Sequence, residues 1–390
     1  MIENECNTFE PYEEWDQFDL HSDVLRGIYA YGFEKPSLIQ QKSIRPMLDC
    51  KDVIVQAQSG TGKTGCFTIS TLSLIDPNES SIQALLLSPT RELAMQTMDV
   101  LNALGKFIPK FKSVLAVGGT SLEGCIQDIQ LKQPQVVVGC SGRIYDLIRR
   151  NIIVPDTIKL IIIDEADEMM SVGFKEQIYN IFQYISTNVQ VGLFSATLPD
   201  DIVKLFDTFM RDPVKILVKS EQLTLDGISQ YYINLECDND KYNCLKDIYS
   251  TFTVSQCIIY CNSVQRVQHL YDTMMAEHFP VTVIHSNMDK QTRIENYKHF
   301  RNGKSRVLIS TNVTARGIDI QQVSTVINFD IPSSVETYLH RIGRSGRWGR
   351  KGLSINFVTP RDTSYIQQIE RHYSIHIQEM PTNWSDALKE

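Results

Sequence analysis

The stretch Ala57-Gln58-Ser59-Gly60-Thr61-Gly62-Lys63-Thr64 has the make-up of a loop that holds phosphate. Its glycines let backbone N–H groups approach an anion that a Cβ would keep away. If a helix starts here, those N–H groups and the positive end of the helix dipole meet at one anionic spot. Lys63 is then placed to reach β and γ phosphates, and the Thr64 hydroxyl to ligate Mg²⁺. The general pattern opens with Gly, whereas this chain has Ala57. An ordinary Gly-rich loop is the other reading of these residues taken alone. Asp164-Glu165 closes the apolar run Leu160-Ile161-Ile162-Ile163. Asp164 is the acidic partner that a phosphate loop needs to hold Mg²⁺, directly or through water. Glu165 is a candidate to orient or deprotonate an attacking water. By itself the pair also reads as a solvated turn or a helix cap.

Three arginines, Arg341, Arg344 and Arg347, alternate with Gly343 and Gly346 near the C-terminus. Planar guanidinium groups suit phosphate. Supplied by one half of the chain to nucleotide on the other, they would act as arginine fingers and tie closure to hydrolysis. A solvated basic patch is the bland alternative. Upstream of the loop, the Gln40 amide can both donate to and accept from an adenine edge, and Phe33 can stack on a base.

These groups need elements to position them. Asp52-Val53-Ile54-Val55 leads into the loop as a buried strand, and Cys66-Phe67-Thr68-Ile69-Ser70 continues it as a helix. The design repeats. Apolar runs at 84–88, 114–117, 136–138, 160–163 and 191–194 each end in polar or Gly residues and then a helical pattern. A second series follows at 257–260, 281–284, 306–309, 325–327 and 353–357. Strands apolar on both faces, alternating with helices, mean parallel sheets covered on both sides. Ligands of such sheets bind at the carboxyl ends of the strands. Before the first strand, Ser22 reads as the N-cap of a helix that Gly32-Phe33 stops, and Pro36 as the first turn of another.

A chain of 390 residues allows two or three domains. The apolar fraction of 42% and charged fraction of 22% are those of a globular protein. No apolar run approaches the ~20 residues of a membrane span, and the acidic start lacks a signal-peptide layout. Nine cysteines follow no framework, so a reducing intracellular setting is expected. Cys237 with Cys244, and Cys257 with Cys261, lack further ligands at zinc spacing. A net charge of −8 argues against a broad basic nucleic-acid surface. It leaves open contacts by a few Arg side chains and backbone N–H groups.

Asp164-Glu165-Ala166-Asp167 spells DEAD. Together with 57–64, Pro89-Thr90-Arg91-Glu92-Leu93-Ala94, Ser195-Ala196-Thr197, Ala315-Arg316-Gly317-Ile318-Asp319 and 340–347, it makes the chain resemble a DEAD-box RNA helicase from about Trp15 to the end. The stretches 26–37 and 223–228 resemble the translation initiation factor 4A group in particular. The resemblance implies an α/β fold of two tandem RecA-like domains, each a mostly parallel sheet with helices on both faces. The expected division is a mobile tail (1–14), domain 1 (15–218), a linker (219–227) and domain 2 (228–390). It implies ATP and Mg²⁺ as cofactors, and RNA, single-stranded or in short duplexes, as partner. Trp15, Phe33 and Gln40 would form an adenine-sensing motif. Residues Ala57, Gln58, Ser59, Gly60, Thr61, Gly62, Lys63 and Thr64 would hold the phosphates. Asp164 would hold Mg²⁺ with Thr64, and Glu165 the attacking water. Gly317 and Asp319 would lie at the nucleotide, with Asp319 on ribose and Arg344 and Arg347 on the γ-phosphate. Ser195, Ala196, Thr197, Asp167 and His340 would couple hydrolysis to RNA work. Pro89, Arg91, Gly118, Gly119, Gly142, Arg143, Arg293, Thr311 and Arg316 would line the RNA path. RNA would be held by phosphate and 2′-OH without sequence preference, and duplexes opened locally by bending one strand.

The departures from the family pattern fall on the RNA side. Cys140-Ser141-Gly142-Arg143 stands for Thr-Pro-Gly-Arg, Lys290 for Gln, Asn312 for Asp, and Ser286-Asn287 for Gly-Asp. Ser141 is expected to cap a helix where the family has proline. The resulting expectation is a monomeric, RNA-dependent ATPase of the cytoplasm, working on a scaffold protein in translation initiation, with no membrane partner. An ATP-locked RNA clamp of the exon-junction type and a nucleolar ribosome-assembly helicase are the rivals, with nuclear or nucleolar location.

Overall fold

The structure is a computed structural model that describes residues 12–58, 60–169, 173–199, 204–206, 208–217, 227–251, 256–315, 323–345 and 352–381. The chain divides into two compact units, Met1–Val218 and Lys219–Glu390. In the first, seven strands form one parallel sheet: β1 (Val53–Gln56), β2 (Ala84–Leu87), β3 (Ser113–Ala116), β4 (Val136–Gly139), β5 (Leu160–Asp164), β6 (Gln190–Ser195) and β7 (Val214–Leu217). Their spatial order is β3-β4-β2-β5-β6-β1-β7. Every residue of β2, β4, β5 and β6 is buried, because helices cover both faces. One apolar layer contains Trp15, Phe67 and Phe194; the other contains Ile161, Ile163 and Phe182. All strands run the same way, so the residues after β1, β2, β3, β4, β5 and β6 gather at one sheet edge. Those residues are the polar motifs.

The second unit repeats the plan with β8 (Ile228–Asn234), β9 (Cys257–Tyr260), β10 (Val281–Ile284), β11 (Val307–Ser310), β12 (Thr325–Asn328), β13 (Gly352–Val358) and β14 (Gln378–Glu379). The order is β10-β11-β9-β12-β13-β8-β14, again parallel. β7, β8 and β14 escape the apolar-run reading because they lie towards the sheet edges and keep exposed positions.

Local corrections concern helix starts and the tail. His21, not Ser22, is the N-cap of α1 (Ser22–Tyr31), with Asp23 N donating to His21 Nδ1 at 3.3 Å. Gly32 ends α1 in the left-handed region. Pro36 lies outside α2 (Leu38–Leu48), whose cap is Ser37. Ser37 and Gln40 have the arrangement of a capping box, of which the bond from Ser37 N to Gln40 Oε1 at 2.8 Å is formed. Tyr12 and Glu14, counted with the tail, are held: Tyr12 packs edge-on against Phe18, and Glu14 pairs with Lys35 at 2.7 Å. The expected linker falls outside the described residues except at Gly227.

Candidate ATP and RNA site

The phosphate loop joins β1 to α3 (Lys63–Leu74). Gly60 and Gly62 take φ of 85° and 102°, a region open to glycine at little cost. Among the described residues no side chain caps α3, so its first N–H groups are left for an anion above the loop. Thr61 Oγ1 donates to Gln58 O at 2.7 Å and braces the turn. Lys63 is buried, and its Nζ donates to Ala57 O at 2.5 Å and Gln58 O at 3.1 Å. Ala57 sits in the core with ordinary backbone, so the missing glycine is not needed there. Ser59 lies outside the described residues. Thr64 is the second residue of α3.

On the base side, Trp15 is completely buried and cannot touch nucleotide. Its Nε1 donates to Phe33 O at 3.0 Å and the two rings stack at 6.4 Å, so it holds Phe33 from beneath. Gln40 accepts from Ser37 N at 2.8 Å and donates to Gly62 O at 3.2 Å. Gly65 makes this approach possible: a Cβ there would lie 2.7 Å from Gln40 Nε2 and 2.9 Å from the Phe33 ring. Gly65 and Ser37 are site residues that sequence reading missed. The Ser37-x-x-Gln40 spacing was the available signal for the second.

Asp164 ends β5, buried, and accepts from Glu165 N at 3.0 Å. Burial, and then the charge of Glu165, raises its pKa to about 7, while Lys63 pulls it down. Glu165 has a φ of 51°, uncommon for a residue with a side chain. Backbone strain of this kind concentrates at functional sites. Its Oε2 is buried without a hydrogen-bond partner among the described residues. Such an oxygen suits a water that awaits a phosphate. Thr197 Oγ1 donates to Asp167 Oδ2 at 2.7 Å, and Asp167 N donates to Ser195 Oγ at 3.3 Å. Ala196 is buried between these two contacts in sequence. The residues thus fit nucleotide with Mg²⁺: an uncapped helix start, a buried lysine and a carboxylate held near neutrality.

The RNA candidates of the first unit also converge. Pro89 is buried ahead of Arg91, the first residue of α4 (Arg91–Leu104). A Cβ on Gly118 would lie 3.6 Å from Arg91 Nη2. Gly119 follows with a φ of 91°. Arg143 donates to Thr120 O at 2.9 Å. Ser141 is not the cap of α6 (Ser141–Arg149); Cys140 is. Ser141 takes the first helical position, where proline is also favoured, and its hydroxyl donates to Gln177 Oε1 at 2.7 Å, beside exposed Gly142. Thr120 and Gln177 were not foreseen; no local spacing marks them. In the second unit, Thr311 follows β11, and Arg293 lies on α11 (Lys290–Arg301), where its charge, after burial, lowers the His285 pKa. Arg344 is buried and its Nε donates to His340 O at 3.1 Å. Arg316, Gly317, Asp319 and Arg347 lie outside the described residues.

Comparison with known proteins decides the family. The DEAD/DEAH box helicase family matches residues 37–205, and the helicase conserved C-terminal domain matches 240–349. The chain is 50% identical over 384 residues to ATP-dependent RNA helicase eIF4A of Chaetomium globosum, covering 98% of this chain and 96% of that one. This chain belongs to the DEAD-box family of ATP-dependent RNA helicases. The eIF4A of Aspergillus clavatus matches it equally, at 50% identity over 98% of the chain and 96% of its own length. Among solved structures, S. cerevisiae Dbp5 bound to RNA and ADP BeF3 superposes with a TM-score of 0.90 at 33% identity, over 97% of this chain and 98% of that one. Mss116p bound to ssRNA and AMP-PNP gives 0.85 at 25% identity, over 94% and 78%. The helicase is therefore an RNA-stimulated ATPase built on two RecA-like sheets.

Proposed function

We propose that this helicase opens short RNA duplexes in messenger leaders during translation initiation, as a cytoplasmic monomer that works with a scaffold protein. The observation that carries the reading is the full-length identity to eIF4A proteins, joined to an ATP-side set gathered at one sheet edge.

In this reading Phe33 and Gln40 take the adenine, and the N–H groups of the loop take the phosphates. Lys63 leaves the carbonyls of Ala57 and Gln58 for the β and γ phosphates. Thr64 and Asp164 would hold Mg²⁺, which would neutralise phosphate charge when bound. Glu165 orients the attacking water and takes its proton. Asp319 holds ribose. Arg344 and Arg347 meet the charge that develops on the γ-phosphate, an effect worth on the order of a thousandfold in rate. Arg91, Arg143, Arg293, Thr311 and Arg316, with the N–H groups of the glycines, grip RNA backbone, so no sequence is preferred. Hydrolysis reaches RNA through the Thr197–Asp167 bond.

The test is a translation extract depleted of this chain and programmed with reporters bearing open or structured leaders. Restored translation of the structured reporter by wild-type protein, and not by Lys63→Ala, supports the reading. Unimpaired translation after depletion, with tagged protein concentrated in the nucleus or nucleolus, would move the activity to an RNA clamp or to ribosome assembly.

A further inference from the structure

Arg341 is fully buried, yet among the described residues none of its hydrogen bonds goes to a carboxylate. Its Nε and Nη2 both donate to Asn312 Oδ1, at 2.8 and 2.6 Å. Its Nη2 also donates to Asn262 Oδ1 at 2.7 Å, and its Nη1 to Asp330 O at 2.7 Å and Asn328 Oδ1 at 3.2 Å. Those five bonds match the five N–H groups a guanidinium owns. The face of the group lies 5.1 Å from the Tyr260 ring centroid. The nearby Asp330 carboxylate is already taken by Lys241 and Arg266. Burial accordingly pulls the Arg341 pKa down to about 10.

The acceptors lie at or after the ends of strands that are far apart in sequence. Asn262 follows β9, Asn312 follows β11, and Asn328 ends β12. Arg341 itself sits on α12 (Val335–Ile342), three residues before Arg344, and Asn312 directly follows Thr311. Asn312 is exposed, so packing does not require an amide at this position. What fixes it is the two-point acceptance from Arg341.

We propose that Asn312 is a positioning residue: by accepting both Nε and Nη2 of Arg341, it locks the segment bearing Thr311 to the helix that leads to Arg344. The amide oxygen does this by direction alone, in the place where the family pattern has a charged acceptor. The inference rests on Thr311 facing RNA and Arg344 facing ATP.

The test compares full-length wild type, Asn312→Ala, Asn312→Asp and Arg344→Ala in RNA-stimulated ATP turnover, each first checked for thermal unfolding. Asn312→Ala removes two hydrogen bonds to a charged donor, so kcat with saturating RNA should fall about tenfold and the RNA KM should rise. The ATP KM of the same variant should stay close to wild type. Asn312→Asp keeps an oxygen in place and should recover most of the loss, with a higher unfolding temperature. Folded Asn312→Ala with wild-type kcat and RNA KM would overturn the inference. So would an equal loss in Asn312→Asp, since the acceptor is then not what matters. If Asn312→Ala fails to fold, Asn312→Gln serves instead; it moves the acceptor by one methylene, and wild-type kinetics in that variant would also overturn the proposal. Unchanged turnover in Arg344→Ala would instead strike the ATP-facing reading on which the inference stands.

Discussion

Thr197 Oγ1 donates to Asp167 Oδ2 at 2.7 Å, which joins the end of β6 to the segment just after the buried Asp164-Glu165 pair. The bond joins the segment that follows β6 to the short helix Ala166–Met169 at the same sheet edge, so a change at the phosphate end can be felt by the segment carrying Ser195 and Thr197. Thr197→Ala should therefore separate the two activities. Coupling of this kind is worth about tenfold. Duplex unwinding is expected to fall by that amount while RNA-stimulated ATP hydrolysis stays near wild type. Parallel loss of both would mean that the bond serves folding or catalysis alone.

Lys63 braces its own loop through Ala57 O and Gln58 O. Lys63→Ala loses that brace and the charge meant for phosphate. ATP turnover should drop about a hundredfold or more, the usual scale for removing one group that stabilises the transition state. Fluorescent-nucleotide binding and phosphate release measure the two parts. Turnover within a few-fold of wild type would remove Lys63 from the mechanism.

Gly65 tests the base side. Gly65→Ala would place a Cβ 2.7 Å from Gln40 Nε2. The same Cβ would lie 2.9 Å from the Phe33 ring, so Gln40 and Phe33 must both shift, while alanine favours helix by roughly 1 kcal/mol over glycine and offsets part of that cost. Stability should fall modestly while the ATP KM rises several-fold and kcat stays put, the signature of lost uniform binding. Trp15→Ala acts from below Phe33 and differs: it should cost about 3–5 kcal/mol of stability in addition, as removing a buried aromatic does. An unchanged ATP KM in Gly65→Ala would show that Gln40 does not contact nucleotide.

The pH dependence follows from Asp164. Its pKa in the folded chain is raised above the ordinary carboxylate value to about 7. The protonated form is thus favoured by folding. Its stabilising contribution is complete below the unfolded value, near 4, and is lost as pH rises through 7. Mg²⁺ requires the ionised form, so binding must expel the proton below pH 7. Mg²⁺-dependent ATP affinity should weaken by up to about tenfold per pH unit below 7 and level off above 8. Calorimetry in buffers of different ionisation enthalpy reads the released proton. Affinity that is flat from pH 6 to 8, with no proton release, would contradict the assignment of Asp164 to Mg²⁺.

The sequence told most where chemistry and packing coincide. Leu160-Ile161-Ile162-Ile163 must be a buried strand, and an acid at its end must lie at the ligand edge of a parallel sheet; both follow from local pattern. Gln40 was singled out for a base, and its other bond, the capping box with Ser37, was legible from spacing but competed with a proline signal at Pro36. Trp15 entered the adenine motif only through the family resemblance; its burial behind Phe33, eighteen positions away, is a tertiary fact that no local pattern carries. The acceptors of Arg341 are scattered from Asn262 to Asp330, and only the parallel sheet brings them together. Ser141 looked like a cap, but Cys140 holds that position and leaves the hydroxyl free to reach Gln177.

The most direct test of the account is steady-state phosphate release by the full-length chain with and without a mixed-sequence single-stranded RNA. The RNA-side departures, Cys140-Ser141, Lys290 and Asn312, make this the informative comparison. Turnover is predicted to rise at least about tenfold with RNA, to respond equally to unrelated RNA sequences, and to vanish in Lys63→Ala. Turnover that ignores RNA, or that depends on one sequence, would contradict the account at its centre.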